Sequence, residues 1–369
     1  MPGDNEMIPT ARPVIGEDEI EAAVRVLRSG LVVQGPEVAA FEEEFSRLVD
    51  GRHCVAVNSG TSALHLTLLA LGIGPGDEVI VPSFTFAASA NAVRLVGADV
   101  VFVDIEPDSF CLDPAAVEAA ITPRTAAIMP VHLYGHPAAM DRIMDIAGRN
   151  GLAVVEDACQ AHAAALNGTP VGAIGTAGTF SFYPTKNMHA LEGGMISTAD
   201  AQVARTLRLL RNQGMEQRYA NEIVGANVRM TDVAAAIGRV QLAKLDTWTE
   251  QRRANAAYLD GQITGAVVPP VADGARHVYH QYTVRVRGDR DAAMRALTAA
   301  GVGSAVYYPT PVHRLKPYWE PDQKAGRSWD LPETERAAAE VVSLPVHPSL
   351  TQEDLARVAA AVNALGGDQ

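Results

Sequence analysis

Between residues 52 and 158 two hydrophobic patterns take turns along the chain. "HCVAVNSG", "DEVIVPSFT", "DVVFVDI", "TAAIMPVHL" and "LAVVEDA" each open with a short run that is apolar at nearly every position. Such runs mark strands covered on both faces. The stretches between them, "TSALHLTLLALGIG", "FAASANAVRLVG", "DPAAVEAAIT" and "MDRIMDIAGRNG", repeat apolar residues at three- and four-residue spacing, the mark of a helix with one covered side. Two further helices come first. "GEDEIEAAVRVLRSG" (16–30) has an acidic first turn and a glycine stop, and "PEVAAFEEEFSRLVDG" (36–51) follows it. Strand–helix alternation predicts an α/β fold, a mostly parallel central sheet with helices on both faces. Right-handed crossovers then gather the strand C-terminal ends on one edge, where such folds bind ligands.

After residue 200 the pattern changes. "AQVARTLRLLRNQG" reads as a helix, and "TDVAAAIGRVQLAKLDTWTEQRRANAAYLDGQ" as a very long one. "HQYTVRVRG" and "SAVYYPTP" predict strands of a second sheet, with the helix "RDAAMRALTAAG" between them, and "TQEDLARVAAAVNALGG" a closing helix. The expected division is a large domain over 1–245 and a smaller C-terminal α+β domain over 246–369, with the long helix as connector or hinge.

Composition narrows the function. The 369 residues are 48% hydrophobic and 20% charged, with a net charge of −13, which describes a soluble globular chain. No basic stripe for nucleic acid is present. Cys54, Cys111 and Cys159 are far apart and lack CxxC spacing, so neither a disulfide framework nor a zinc site is expected, and a reducing cytoplasm fits. The opening "MPGDNEMIPTARP" has no apolar run of a signal peptide. The most apolar stretch, Ala63–Ile73, is short and contains His65, so no membrane span is expected. Of 30 basic residues only four are lysines, and the first of them, Lys186, falls in "SFYPTKN".

Four stretches carry chemistry, and all fall at strand ends. In "NSGTSALH" (58–65) a strand turns into a helix N-terminus, an anion site to which Thr61 and Ser62 add hydroxyls; ordinary N-capping explains the same residues. "VVEDACQAH" (154–162) ends a strand on Asp157, either a turn cap or a carboxylate awaiting a cation, with Cys159 on the same face and Gln160 as a hydrogen-bonding side chain. Lys186 follows Asp157 by 29 residues and Ser181 by five. A lysine amine forms a Schiff base with an aldehyde, which arginine cannot do; a surface lysine is the plainer alternative. In "PSFTFAAS" (82–89) Phe84 or Phe86 is placed to stack on a flat ring, or to pack in the core. A phosphate cradle, a lysine amine, an acid for a pyridinium nitrogen and a stacking face are together what pyridoxal phosphate requires.

At these residues the chain resembles the DegT/DnrJ/StrS-type nucleotide-sugar aminotransferases, pyridoxal-phosphate enzymes of fold type I. The likeness also runs through "RPVIGEDEIEAAVRVLRSGLVVQGPEVAAFEEEF", "GTFSFYPTKNMHALEGGMIST" and "ANVRMTDVAAAIGRVQL". The resemblance implies that Lys186 carries the cofactor, Asp157 pairs with its ring nitrogen, Gln160 contacts its phenolic oxygen and Phe86 stacks on it. Gly60, Thr61, Ser62 and Ser181 would hold the phosphate. Asn227 would reach it from a neighbouring subunit, which implies a homodimer. His189, Arg229, Tyr308 and His313 are substrate-contact candidates. Ala163 stands where the family often has glycine, and His189 and Leu191 where small residues are common. The implied reaction moves an amino group from glutamate, leaving 2-oxoglutarate and pyridoxamine phosphate, to a keto sugar on a nucleoside diphosphate. A 4-keto-6-deoxy sugar is the first expectation, a C3 ketone the second and a cyclitol ketone the third. A sugar dehydratase of the same fold is disfavoured by Lys186, since relatives with that activity replace the lysine. A non-catalytic regulator is disfavoured by the intact set of Lys186, Asp157, Gln160 and Ser181.

Overall fold

The structure is a computed structural model and describes residues 7–366. Helices α1 (Glu17–Ser29) and α2 (Pro36–Ser46) lead into β1 (His53–Val57), α3 (Gly60–Ala70), β2 (Glu78–Pro82), α4 (Ala87–Leu95), β3 (Asp99–Val103), α5 (Pro114–Ala120), β4 (Thr125–Ile128), α6 (Met140–Asn150) and β5 (Ala153–Asp157). A small hairpin, β6 (Ala165–Leu166) and β7 (Thr169–Pro170), precedes β8 (Ala177–Ser181) and β9 (Gly194–Thr198). Then come α7 (Ala201–Arg211), a second hairpin of β10 (Met215–Gln217) and β11 (Ala220–Asn221), and the long α8 (Asp232–Gln262). The chain continues through β12 (Ala275–Arg276), β13 (Tyr282–Arg285), α9 (Arg290–Ala299), α10 (Lys316–Lys324), α11 (Pro332–Glu340), β14 (Val341–Leu344) and α12 (Gln352–Ala364).

The central sheet has seven strands in the order β1-β9-β8-β5-β4-β2-β3. The pairs β3–β2, β2–β4, β4–β5 and β5–β8 are parallel, as the continuous apolar runs require. One strand runs the other way: β9 lies antiparallel between β8 and β1. The chain therefore reverses between β8 and β9, and Lys186 sits on that reversal. Its short, polar "GMIST" gave no strand signal of its own.

A second buried cluster gathers β13, β14, the C-terminal half of α8, α9 and α12 around Leu259, Tyr282, Leu297, Leu344 and Val358. Here one expected strand fails. Residues 304–311 form no strand, and Ala305 alone bridges to Ser343. Pro309 and Pro311 have no N–H for a ladder. The strand pairing with β13 is β14, antiparallel. Among the described residues no helix is long and apolar enough to cross a membrane.

One buried carboxylate joins two helix starts. Asp232, in the first turn of α8, accepts from the N–H groups of Gly35 (2.8 Å), Glu37 (3.2 Å) and Val38 (3.0 Å) at the start of α2. These donors have no partner within their own helix. Asp232→Ala leaves one of them buried and two half-buried without a partner, and is expected to lower stability by about 2–4 kcal/mol. A urea midpoint unchanged from the parent protein would show that the cap contributes nothing.

Candidate active site

The ends of β5 and β8 and the N-termini of α3 and α4 meet on one sheet edge around a cavity of about 350 Å³. This is within the range of small-molecule sites. Of the residues singled out in the sequence, Gly60, Thr61, Phe86, Asp157, Cys159, Gln160, Ser181, Lys186 and Tyr308 all line it.

Asp157 ends β5, and its side chain is 5% exposed. One carboxylate oxygen accepts from the Ser89 hydroxyl at 2.7 Å and the other from the Cys159 N–H at 3.2 Å. Ser89 has one proton and gives it to Asp157, so in its 3.0 Å contact with Thr85 the threonine is the donor. A fully buried pair sits one residue back. His132 Nδ1 accepts from the Ala138 N–H, so Nε2 carries the proton and donates to Glu156 at 3.0 Å. Burial pushes the Glu156 carboxyl up, but the His132 bond and the Gly172 and Gly175 N–H groups outweigh it and hold it below the ordinary value. The His132 N–H bonds the Asp157 carbonyl at 3.0 Å, so this pair braces the strand end.

Gln160 is oriented by its neighbours. Its carbonyl oxygen accepts from the Tyr134 N–H at 2.8 Å, which leaves its amide nitrogen to donate to the Tyr308 hydroxyl at 2.9 Å. Gly60 opens α3 against the end of β8, where an added Cβ would lie 2.7 Å from Ser181 Cβ and 3.0 Å from Cys159 Sγ. Only glycine lets this helix N-terminus, with its unpaired N–H groups, close onto Ser181. Phe86 is the N-cap residue of α4 and is 58% exposed, its ring 5.9 Å from Tyr308. Phe84 is fully buried against Phe110 and Tyr134, so of the two rings Phe86 alone faces the cavity.

The Lys186 side chain makes no hydrogen bond or ion pair among the described residues. Burial lowers its pKa, against the opposing pull of Cys159 and Asp157. Burial also pushes the Cys159 thiol well above its usual value, which keeps it neutral.

Other expected residues lie elsewhere. The Ser62 hydroxyl turns into the cap of α3, donating to Asn58 at 2.7 Å, and Ser59 lines the cavity in its place. His313 is buried between Ser83 (2.7 Å) and Glu335 (2.9 Å), a tie between chain segments rather than a cavity wall. Asn227 is exposed, and Arg229 donates to Asn212 at 2.7 Å; neither lines the cavity. His189 lines a separate small pocket that Lys186 also touches.

The sequence reading passed over Ser89, His280, Gln281, Glu192 and Tyr307. Ser89 was detectable, since it lies one helical turn beyond Phe86 and four residues beyond Thr85. His280 and Gln281 precede β13 and gave no signal, because nothing in the spacing ties them to residues a hundred positions earlier. His280 Nδ1 is buried without a partner, and burial holds its pKa well below the ordinary value, so the ring is neutral.

A lowered lysine pKa fixes a sign. Burial disfavours the ammonium, so the neutral, nucleophilic amine is more abundant at pH 8 than for an exposed lysine. The rate at which cofactor-free protein binds pyridoxal phosphate, followed by the growth of its absorption band, is expected to rise with an apparent midpoint below the 10.5 of a free lysine. A midpoint at or above that value contradicts the burial argument.

Residues 13–363 match the DegT/DnrJ/EryC1/StrS aminotransferase family. The chain is 46% identical over 349 residues to the dTDP-3-amino-3,4,6-trideoxy-α-D-glucose transaminase of Streptomyces venezuelae, covering 93% of this chain and 91% of that one. It is 43% identical over 345 residues to the GDP-perosamine synthase of Caulobacter vibrioides, covering 89% and 90%. The crystal structure of S. venezuelae DesV in complex with a ketimine intermediate superposes with a TM-score of 0.92 at 42% identity, covering 98% of this chain and all of that one. The cavity fits the cofactor of that family. It offers an amine with no partner of its own, a carboxylate held in place by Ser89, a helix N-terminus that only glycine allows, and an exposed aromatic ring. The chain belongs to the DegT/DnrJ/EryC1/StrS family and is a sugar aminotransferase that uses pyridoxal phosphate.

Proposed function

We propose that the amino group passes from glutamate to the ketone of a nucleoside-diphosphate-linked deoxysugar, and that the ketone is at C3 rather than at the C4 first expected from the sequence. The observation that carries the site assignment is the joint placement of Lys186, Asp157, Gln160 and the α3 N-terminus around one cavity. When bound, pyridoxal phosphate supplies an electron sink for the bond broken at the amino donor's α-carbon.

In this reading Lys186 holds the cofactor covalently. Once displaced, its neutral amine takes the proton from the donor α-carbon. Asp157 holds the proton on the ring nitrogen, and Ser89 and the Cys159 N–H keep its carboxylate aimed. Gln160 Nε2 donates to the phenolic oxygen, its orientation set by the Tyr134 N–H. Gly60, Thr61 and Ser181 bind the phosphate, Ser62 supports them through the helix cap, and Phe86 covers the ring. The exposed Asn227 serves the site of a second copy, which makes the working unit a cytoplasmic homodimer. Tyr308, at the cavity wall, meets the sugar. A large domain over 1–245 then carries the cofactor and 246–369 closes over it.

Similarity to a transaminase named for a 3-amino sugar supports C3. Similarity to GDP-perosamine synthase supports the second reading, a C4 ketone. The test is a pair of half-reactions. L-Glutamate is expected to bleach the band of the loaded protein, and a 3-keto nucleotide sugar to restore it. Restoration by the 4-keto sugar alone favours the second reading, and restoration by neither removes both. Lys186→Ala is expected to lose at least about 10⁴-fold of turnover, since covalent and proton-transfer roles vanish together; full activity in that variant rejects the assignment.

A further inference from the structure

Beside the main cavity lies a second pocket of about 20 Å³, and Lys186 and Thr185 line both. Its other walls include Arg12 and His189, with Arg252 from α8. Arg252 is only 7% exposed. One of its nitrogens donates to the Tyr279 carbonyl at 3.2 Å, and its Nε is buried with no partner. Among the described residues it makes no ion pair. A guanidinium taken out of water without a counter-charge is unfavourable, so such a site selects an anion. Arg12, exposed at the same pocket, also has no ion pair among the described residues. His189 Nε2 is buried and unpaired as well. Glu19, which bonds the pocket residue Gln241 at 2.9 Å, is also bound by Lys244 at 2.9 Å. Asn187 Oδ1 is a buried acceptor without a partner, suited to an ammonium or a water.

We propose that this pocket is the carboxylate subsite of the amino donor, with Arg252 binding the carboxylate and Arg12 guarding the mouth. The inference rests on the reading above that the donor is glutamate, and assigns that donor its own residues. Size separates the two substrates. The pocket admits a single group a little larger than water, so a carboxylate enters and a sugar diphosphate does not. Arginine also matches the flat carboxylate with two parallel N–H groups. Both substrates must react at the same lysine, and a subsite that shares Lys186 with the main cavity meets that need.

The experiment uses the cofactor-loaded protein and two probes. Glutarate, which has the carboxylates but no amine, reports binding by calorimetry. L-Glutamate reports the first half-reaction through loss of the absorption band. Arg252→Gln is expected to weaken glutarate at least tenfold and raise the half-saturating glutamate concentration by a similar factor. The return half-reaction, from the pyridoxamine form with a keto sugar, stays within twofold of the parent. Arg252→Lys recovers part of the loss. Arg12→Gln, at an exposed residue, folds regardless and is expected to weaken both probes about fivefold. Parent-like glutarate binding and glutamate kinetics in Arg12→Gln and Arg252→Gln overturn the subsite. Failure of the donor reading shows separately, because the parent protein itself would then keep its band in glutamate.

Discussion

An acid and an amine face the same cavity without neutralising each other, and the rest of the site follows from that constraint. Asp157 and Lys186 both line it and form no ion pair. Left free to move, a buried carboxylate and a nearby ammonium would pair and close the space between them. The fold prevents this by occupying Asp157 with Ser89 and the Cys159 N–H. It also surrounds the lysine with walls that disfavour its charge. The His132–Glu156 pair, wholly buried and fully bonded, then fixes the strand end from below.

Topology brings these groups together. The parallel strands deliver the α3 N-terminus and Asp157 to one edge, and the turn from β8 into the antiparallel β9 returns the chain across that edge carrying Lys186. The C-terminal segments complete the wall. Residues 307 and 308 fail to form a strand because prolines at 309 and 311 interrupt any ladder, and both tyrosines border the cavity. Tyr308 is then in reach of Gln160 on the other side of the space.

Much of this could be read from sequence, and for a physical reason. Strands buried on both faces leave long apolar runs, and Asp157 stood out as a polar end to one of them; Gly60 was marked by a strand-to-helix turn, and Lys186 as the first lysine of a lysine-poor chain. The reversed β9 was missed because a short strand of Gly, Met, Ile, Ser and Thr has no period to detect. Ser62 was overvalued, because a helix-capping hydroxyl and a phosphate-binding one look alike in sequence; the structure turns it toward Asn58. His313 was a candidate only through the resemblance of its stretch, which does not set side-chain direction; its ring is tied to Ser83 and Glu335. His280, Gln281 and Arg252 were invisible, since their meaning comes only from what folding places beside them.

The central claim is that one lysine of four bears the cofactor while three serve elsewhere. Lys244 is held by Asp18 and Glu19, which already gives it a structural partner. The direct test is borohydride reduction of the loaded protein followed by peptide mass mapping. The account predicts a single pyridoxyl group, on the peptide containing Lys186. Its appearance on Lys244, Lys316 or Lys324, or on no lysine at all, would contradict the account.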